Sequence, residues 1–154
     1  MAFLSSMDII GSGMTAQQLR LDIVSENITN STTTRTENGG VAYRRKMVVF
    51  EAVSGRDDFR AAMARAQDGL APNAGYENAG GVKVTQIAED PSPLKLVYDP
   101  THPDANEDGY VEMPNVDTVK EITDAMAATQ AYNADVTAFN MLKAVVAKGL
   151  EIGR

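Results

Sequence analysis

The 154-residue chain has no cysteine, no tryptophan and one histidine, and aromatic residues make up only 6% of it. Without cysteine there is no disulfide, no zinc thiolate and no thiol nucleophile. The lone histidine, His102, sits between Thr101 and Pro103. It has no second His or Cys to share a metal and no nucleophile beside it for general-base work, so it reads as a surface-loop residue. No window approaches the roughly 18 apolar residues that span a bilayer, so direct membrane insertion is not expected. Basic residues are outnumbered, 14 to 21, leaving a net charge of −7, which argues against nucleic acid as a partner. The one basic run, Arg44-Arg45-Lys46, lies in a strand-like stretch and reads as a solvated strand edge. A secretory signal is not evident either: the first basic residue is Arg20, and Asp8 interrupts short apolar stretches. The expectation is a protein that stays inside the cell or leaves by a route without a cleaved signal.

What is present is a supply of small and flexible apolar side chains. Apolar residues reach 44%, with eight methionines and many alanines, which favours thin helix contacts over one dense core. Phe3, Met7, Ile10, Met14, Gln17, Leu21, Val24 and Ile28 follow one another at alternating spacings of four and three. That is the seam of a helix about 39 Å long that packs on another helix. Gly11 and Gly13 weaken it by roughly 1 kcal/mol each, which close approach of a neighbour would explain.

The far end mirrors this. Pro114 can pre-set a first turn and Asn115 or Asp117 can cap it. Val119, Ile122, Met126, Thr129, Tyr132, Val136, Phe139, Leu142 and Val146 then recur every three or four residues, on a helix about 51 Å long over 116–150. Neither stripe can be buried alone. The spacing predicts that Met7, Ile10, Met14, Leu21, Val24 and Ile28 pack against Val119, Ile122, Met126, Tyr132, Val136, Phe139, Leu142 and Val146. Residues left over on each helix would meet neighbouring subunits.

Between the helices the pattern changes. Residues 29–40 are a polar, Thr-rich linker, followed by β-like runs at 41–50, 82–87 and 94–98, with a turn at Asp90-Pro91-Ser92-Pro93. These predict a small antiparallel sheet of about three strands. Within the variable stretch 51–81, residues 57–67 fit a short helix. The fold class is therefore α+β: an N-terminal helix over 1–30, a linker and β-rich part over 31–113, and a C-terminal helix over 114–154. The two helices form an antiparallel coiled-coil-like inner domain.

Two motifs hint at other chemistry. Gly11-Ser12-Gly13-Met14-Thr15-Ala16 satisfies a dinucleotide-binding G-x-G-x-x-A pattern. It lacks a strand before the glycines and an acid on a second strand after them, so no cofactor is expected. Asp104-Ala105-Asn106-Glu107-Asp108-Gly109 opens like a calcium-binding EF-hand loop. Its twelfth position is Asn115 where a glutamate is needed, Pro114 lies inside it, and Pro100 and Pro103 forbid the incoming helix. An Asx-rich turn leading into the C-terminal helix is the simpler reading. A small enzyme or metal-binding regulator over 82–113 and a free-standing coiled-coil adaptor are the competing readings.

Specific motifs then narrow the field. The run from Gly109-Tyr110-Val111-Glu112-Met113-Pro114-Asn115 through Ala131-Tyr132-Asn133-Ala134 to Gly149-Leu150-Glu151-Ile152-Gly153-Arg154 resembles the end of the bacterial flagellar rod and hook (axial) proteins. Val97-Tyr98-Asp99-Pro100-Thr101-His102-Pro103-Asp104-Ala105 is similar to the proximal-rod branch of that family. Ser12 to Asp22, Glu26-Asn27-Ile28-Thr29-Asn30 and Tyr43 to Phe50 resemble its N-terminal helix, exit and first strand. Glu26 departs from the second Asn usual there, and 51–81 looks longer than usual and carries no recognisable motif of the family. The resemblance implies a structural, non-enzymatic subunit without cofactor. The partners it implies are copies of itself, other rod subunits and, at the rod base, the inner-membrane ring and export apparatus. It also implies a periplasmic drive shaft that transmits torque, whose subunits travel through the flagellar type III export channel.

Overall fold

The computed structural model describes residues 2–36, 40–53 and 80–152. The helix expected over 57–67 lies outside them. The element order is α1 (Ala2–Thr29), β1 (Lys46–Val53), β2 (Gly81–Glu89), β3 (Lys95–Tyr98), β4 (Tyr110–Met113) and α2 (Thr118–Ile152). This is the α+β class, with long helices at both ends and a small β portion between them. By internal contacts the chain divides into two compact units. One comprises Met1–Ala16, Phe50–Thr85 and Tyr132–Arg154; the other comprises Gln17–Val49 and Gln86–Ala131. We call these the first and second unit.

Local chemistry sets the helix ends. At the end of α1 the backbone N–H and the side-chain Nδ2 of Asn30 both donate to the Glu26 carbonyl, each at 3.0 Å. Thr33 N–H then bonds the Asn30 carbonyl at 3.1 Å, turning the chain away. Asp117 caps α2, its Oδ1 accepting the Val119 N–H at 3.1 Å. Asn115, the other candidate cap, is drawn elsewhere: its Oδ1 accepts the Arg45 N–H at 2.8 Å.

The β portion differs from the single three-stranded sheet that the sequence predicts. Among the described residues there are two two-stranded sheets, β1 with β2 and β3 with β4. Strands β3 and β4 are antiparallel, pairing Lys95↔Met113, Leu96↔Glu112, Val97↔Val111 and Tyr98↔Tyr110. Strand β4 replaces the expected run from turn straight into helix. Gly109 takes φ 79°, and Asn106 Oδ1 accepts the N–H groups of Asp108 (3.1 Å) and Tyr110 (2.8 Å), so the chain reverses there. Strand β1 begins at Lys46 rather than residue 41 because Tyr43 N–H bonds the Thr33 carbonyl and Arg45 N–H bonds Asn115.

Burial is uneven. In the second unit Ile23, Val24, Ala42, Tyr43, Val111, Val116 and Ala128 are buried, together with the polar Asn27 and Glu121. In the first unit Ala16 is the one buried apolar side chain among the described residues. Polar contacts there include two between elements far apart in sequence. Ser12 Oγ accepts the Val82 N–H at 3.0 Å, and a Cβ on Gly13 would lie 3.0 Å from Asp135 Oδ2.

The expected helix seam is placed as follows. Val24 is buried, and Met7, Ile10, Met14, Leu21 and Ile28 are half-buried on α1. On α2, Tyr132, Val136, Phe139, Leu142 and Val146 are half-buried. Val119, Ile122 and Met126 instead stay 74%, 49% and 69% exposed, so at that end the expected packing within the chain is not seen. The helix there turns inward along Glu121, Ala125 and Ala128, of which Glu121 and Ala128 are fully buried. Alanine lets the backbones approach, and the polar partners of Glu121 fix the rotation.

Candidate functional site

The chemistry of the second unit converges on Asn27 and Glu121, both 0% exposed. The α1 helix supplies Asn27, and its side chain is fully satisfied. Nδ2 donates to Glu121 Oε2 and to the Lys46 carbonyl, each at 2.9 Å. Oδ1 accepts the Tyr43 hydroxyl and the Lys46 N–H, each also at 2.9 Å. An amide has two donors and two acceptor positions, and all four are used.

Glu121, on the first turns of α2, completes the link. Its Oε1 accepts Arg45 Nε at 2.6 Å. The same guanidinium reaches Asp124 at 3.4 Å and Asp90 at 3.9 Å, while Arg20 donates to the other oxygen of Asp124 at 2.9 Å. Asn115 Nδ2 bonds the carbonyls of Asp90 and Ser92, each at 3.2 Å. Lys46 forms an ion pair with Glu26 and lies 5.5 Å over the Tyr43 ring. One connected network thus ties α1 to the segment before β1, to the turn after β2 and to the start of α2. A buried carboxylate is tolerable only with such pairing, and breaking one partner strands the rest.

Electrostatics follow from this packing. Burial first, then the carboxylates of Glu26, Glu121 and Glu89, push the Tyr43 hydroxyl up to about 12. Hydrogen bonds from Ser92, helped by Arg45 and Arg44, hold Asp90 below the usual carboxylate range. Beside the network runs an open groove of about 520 Å³, lined by Arg45, Asp90, Asn115, Asp117, Lys120 and Asp124 among others.

The other candidate groups are occupied locally. Asp104 Oδ2 accepts Thr34 Oγ1 at 2.9 Å and its Oδ1 pairs with Arg35, so it is held low mainly by the Thr34 bond. His102 Nδ1 accepts the Asp104 N–H at 3.1 Å. With Asn106 Oδ1 bonded to two backbone amides, the EF-hand-like oxygens turn to their own chain. No group of three or more His, Cys, Asp or Glu placed to hold a metal occurs among the described residues. Gly11 to Ala16 lie within α1, with Ser12 Oγ donating to the Ile9 carbonyl and Thr15 Oγ1 to that of Gly11. No helix among the described residues is long and apolar enough to cross a membrane.

The network's polar side chains are spent on one another, so its work is to clasp elements together. Sequence reasoning missed Asn27, Tyr43, Arg45 and Glu121 as a set. Arg45 and Lys46 are not a solvated strand edge: their side chains are 21% and 32% exposed and engaged with the helices. Glu26, the departure from the resemblance, is the partner of Lys46. The available signal was the spacing of Glu121, Ala125 and Ala128, a column hidden by larger apolar residues beside it.

Comparison with known proteins agrees on a family. Residues 7–35 match the family described as "Flagella basal body rod protein", and 107–148 match "Flagellar basal body rod FlgEFG protein C-terminal". The chain is 45% identical over 152 residues to the flagellar basal-body rod protein FlgC of Bacillus subtilis, covering 97% of each chain. It is 39% identical to that of Borreliella burgdorferi, over 99% of this chain and 98% of the relative. With that of Escherichia coli O6:H1 it shares 38% identity over the whole of both.

Proposed function

The chain belongs to the FlgC family of flagellar basal-body rod proteins, and from that membership we propose that it builds the proximal rod, the part of the drive shaft nearest the inner membrane. It is a structural subunit of the flagellar basal body and assembles with other rod subunits. Its neighbours are copies of itself, other rod proteins and, at the base, the inner-membrane ring and export apparatus. It reaches that place in the periplasm through the flagellar export channel, and torque passes through its interfaces rather than through a reaction.

The observation that carries this reading is the division of labour on α2. The clasp holds its start through Glu121, while Val119, Ile122 and Met126 lie open to solvent on the same turns. Further along, Met141, Val145 and Leu150 are also exposed. Burying such side chains against a neighbour gains roughly 1.5–3 kcal/mol each, enough to drive polymerisation when several act together. Met7, Ile10, Met14, Leu21, Val24, Ile28, Tyr132, Val136, Phe139, Leu142 and Val146 then serve pairing within the subunit. Val119, Ile122 and Met126 serve contacts between subunits.

Paired substitutions test this. Met126→Asp is expected to abolish swimming and to remove the rod from isolated basal bodies seen by electron microscopy, with the circular dichroism of the purified chain unchanged. Val24→Asp is expected to unfold the purified chain as well. Normal swimming by Met126→Asp cells would remove that face from the subunit contacts.

A further inference from the structure

We propose that the outward face of the β3–β4 hairpin docks on the exposed α2 stripe of a second copy of this chain, so that like subunits join head to tail. The inference rests on the rod-subunit reading and adds which two surfaces meet.

The hairpin presents a preformed apolar face. Its register sets Leu96 opposite Glu112 and Tyr98 opposite Tyr110, and these four share one side. The other side is anchored by Val111, which is 1% exposed. Leu96 and Tyr98 are each 65% exposed. The two tyrosine rings meet edge to face, with centroids 5.2 Å apart at 66°. Gly109 lets them do so: a Cβ there would stand 3.0 Å from the Tyr98 ring and 3.3 Å from Pro100. A face fixed in advance loses little side-chain freedom on binding.

Its rim is acidic. Glu112 lies on this side opposite Leu96, Asp99, Glu107 and Asp108 belong to the connection between the two strands, and the Thr101 hydrogen bonds hold Asp99 below the usual carboxylate range. The lysine on these strands, Lys95, spends its Nζ on the Val116 carbonyl at 2.5 Å.

The complementary surface lies in the same unit. Val119, Ile122 and Met126 stand at i, i+3 and i+7 on one face of α2. Beside them the Lys120 side chain is 79% exposed and held by Asp117 only through a 3.9 Å surface contact, a weak pairing that an interface can outcompete. Apolar residues thus face apolar residues, a methionine thioether faces tyrosine rings, and a lysine faces a carboxylate rim. Both patches remain exposed within one chain, so neither is covered by the other there. Two different patches on one molecule make a heterologous contact, which repeats along an array instead of closing a two-fold dimer.

The absence of native cysteine makes the test direct. Cells carrying a Glu112→Cys, Thr123→Cys chain are treated with a short bismaleimide, and the isolated basal bodies are immunoblotted for the chain. A ladder of dimers, trimers and higher multimers is expected, with each single cysteine variant giving none. The proposal is overturned if a single variant links to itself, or if the double variant, present in the basal bodies, gives only monomer or an adduct with a different rod protein. Charge reversal covers a double variant that fails to assemble. Glu112→Lys and Lys120→Glu should each cut swimming several-fold and together restore it to within about twofold of wild type; no restoration overturns the pairing. Absence of the unaltered chain from basal bodies would instead sink the rod reading itself.

Discussion

The two units use the same pair of helices in opposite ways. In the second, α1 and α2 are joined through buried side chains: Asn27 and Glu121 bond each other at 2.9 Å with no exposure. In the first, the contacts between elements include an exposed Ser12-to-Val82 bond and the approach of Asp135 to Gly13, with one buried apolar residue among those described. Stability in a helix pair comes from tertiary burial far more than from helix propensity. The second unit therefore carries most of the burial among the described residues, and the first carries little.

The strongest way to break this contrast is to remove the clasp. Glu121→Ala leaves the Arg45 Nε and the Asn27 Nδ2 without their carboxylate, and such loss costs roughly 3–5 kcal/mol. Ser12→Ala removes an exposed hydrogen bond in the first unit and costs about 1 kcal/mol or less. Urea unfolding of the purified chain, followed by circular dichroism, measures both. Equal costs would mean that the units are stabilised alike.

Alkali probes the same clasp less severely. The folded Tyr43 keeps its proton to about pH 12, whereas an unfolded tyrosine loses it near 10. Below pH 10 both states are protonated and the stabilisation is complete. As pH rises from 10 towards 12 the unfolded state loses its proton first, so stability falls across that window. Tyr43→Phe should abolish that slope, although it also sacrifices the bond to Asn27. At the acid end the sign reverses. Asp90 and Asp104 are held low by hydrogen bonds, so their contribution is present above the ordinary carboxylate pKa and is lost as pH falls through their folded values.

Hydrogen exchange reads the contrast without mutation. Amides of 17–29 and 118–131 should be at least about tenfold better protected in the free chain than those of 5–16 and 132–150, a difference of about 1.4 kcal/mol. Uniform protection along both helices would erase the distinction between the units.

Much of this architecture was legible. Heptad spacing located both helices, and the Asp117 cap placed the start of α2 within a few residues. Strand β4 escaped because its four residues follow an Asx turn whose reversal depends on Gly109, and the Asp-rich run there imitates a metal loop. The clasp escaped for a different reason. Its parts come from residues 27, 43–46, 90, 115 and 121–124, and their polarity reads as exposure unless the partners are known. The roll of α2 is the clearest case. Val119, Ile122 and Met126 outrank Ala125 and Ala128 in hydrophobicity, yet the small residues face inward because helix approach and the Glu121 bonds decide the rotation.

The smallest expected effect isolates helix approach in the first unit. Gly11 and Gly13 both lie inside α1, where replacing glycine by alanine gains about 1 kcal/mol of helix propensity. A Cβ on Gly11 meets nothing within 4 Å, so Gly11→Ala should raise the melting temperature by about 3 °C. A Cβ on Gly13 stands 3.0 Å from Asp135 Oδ2 and 3.6 Å from its Cγ, so the carboxylate must retreat by a few tenths of an ångström. The end of a flexible side chain can move that far, and its displacement offsets part of the propensity gain. Gly13→Ala should therefore stabilise by less than Gly11→Ala, by about 0.5 kcal/mol or under. Combining it with Asp135→Ala should restore the full gain. If Gly13→Ala alone stabilises as much as Gly11→Ala, α2 does not approach α1 at that turn in the free chain.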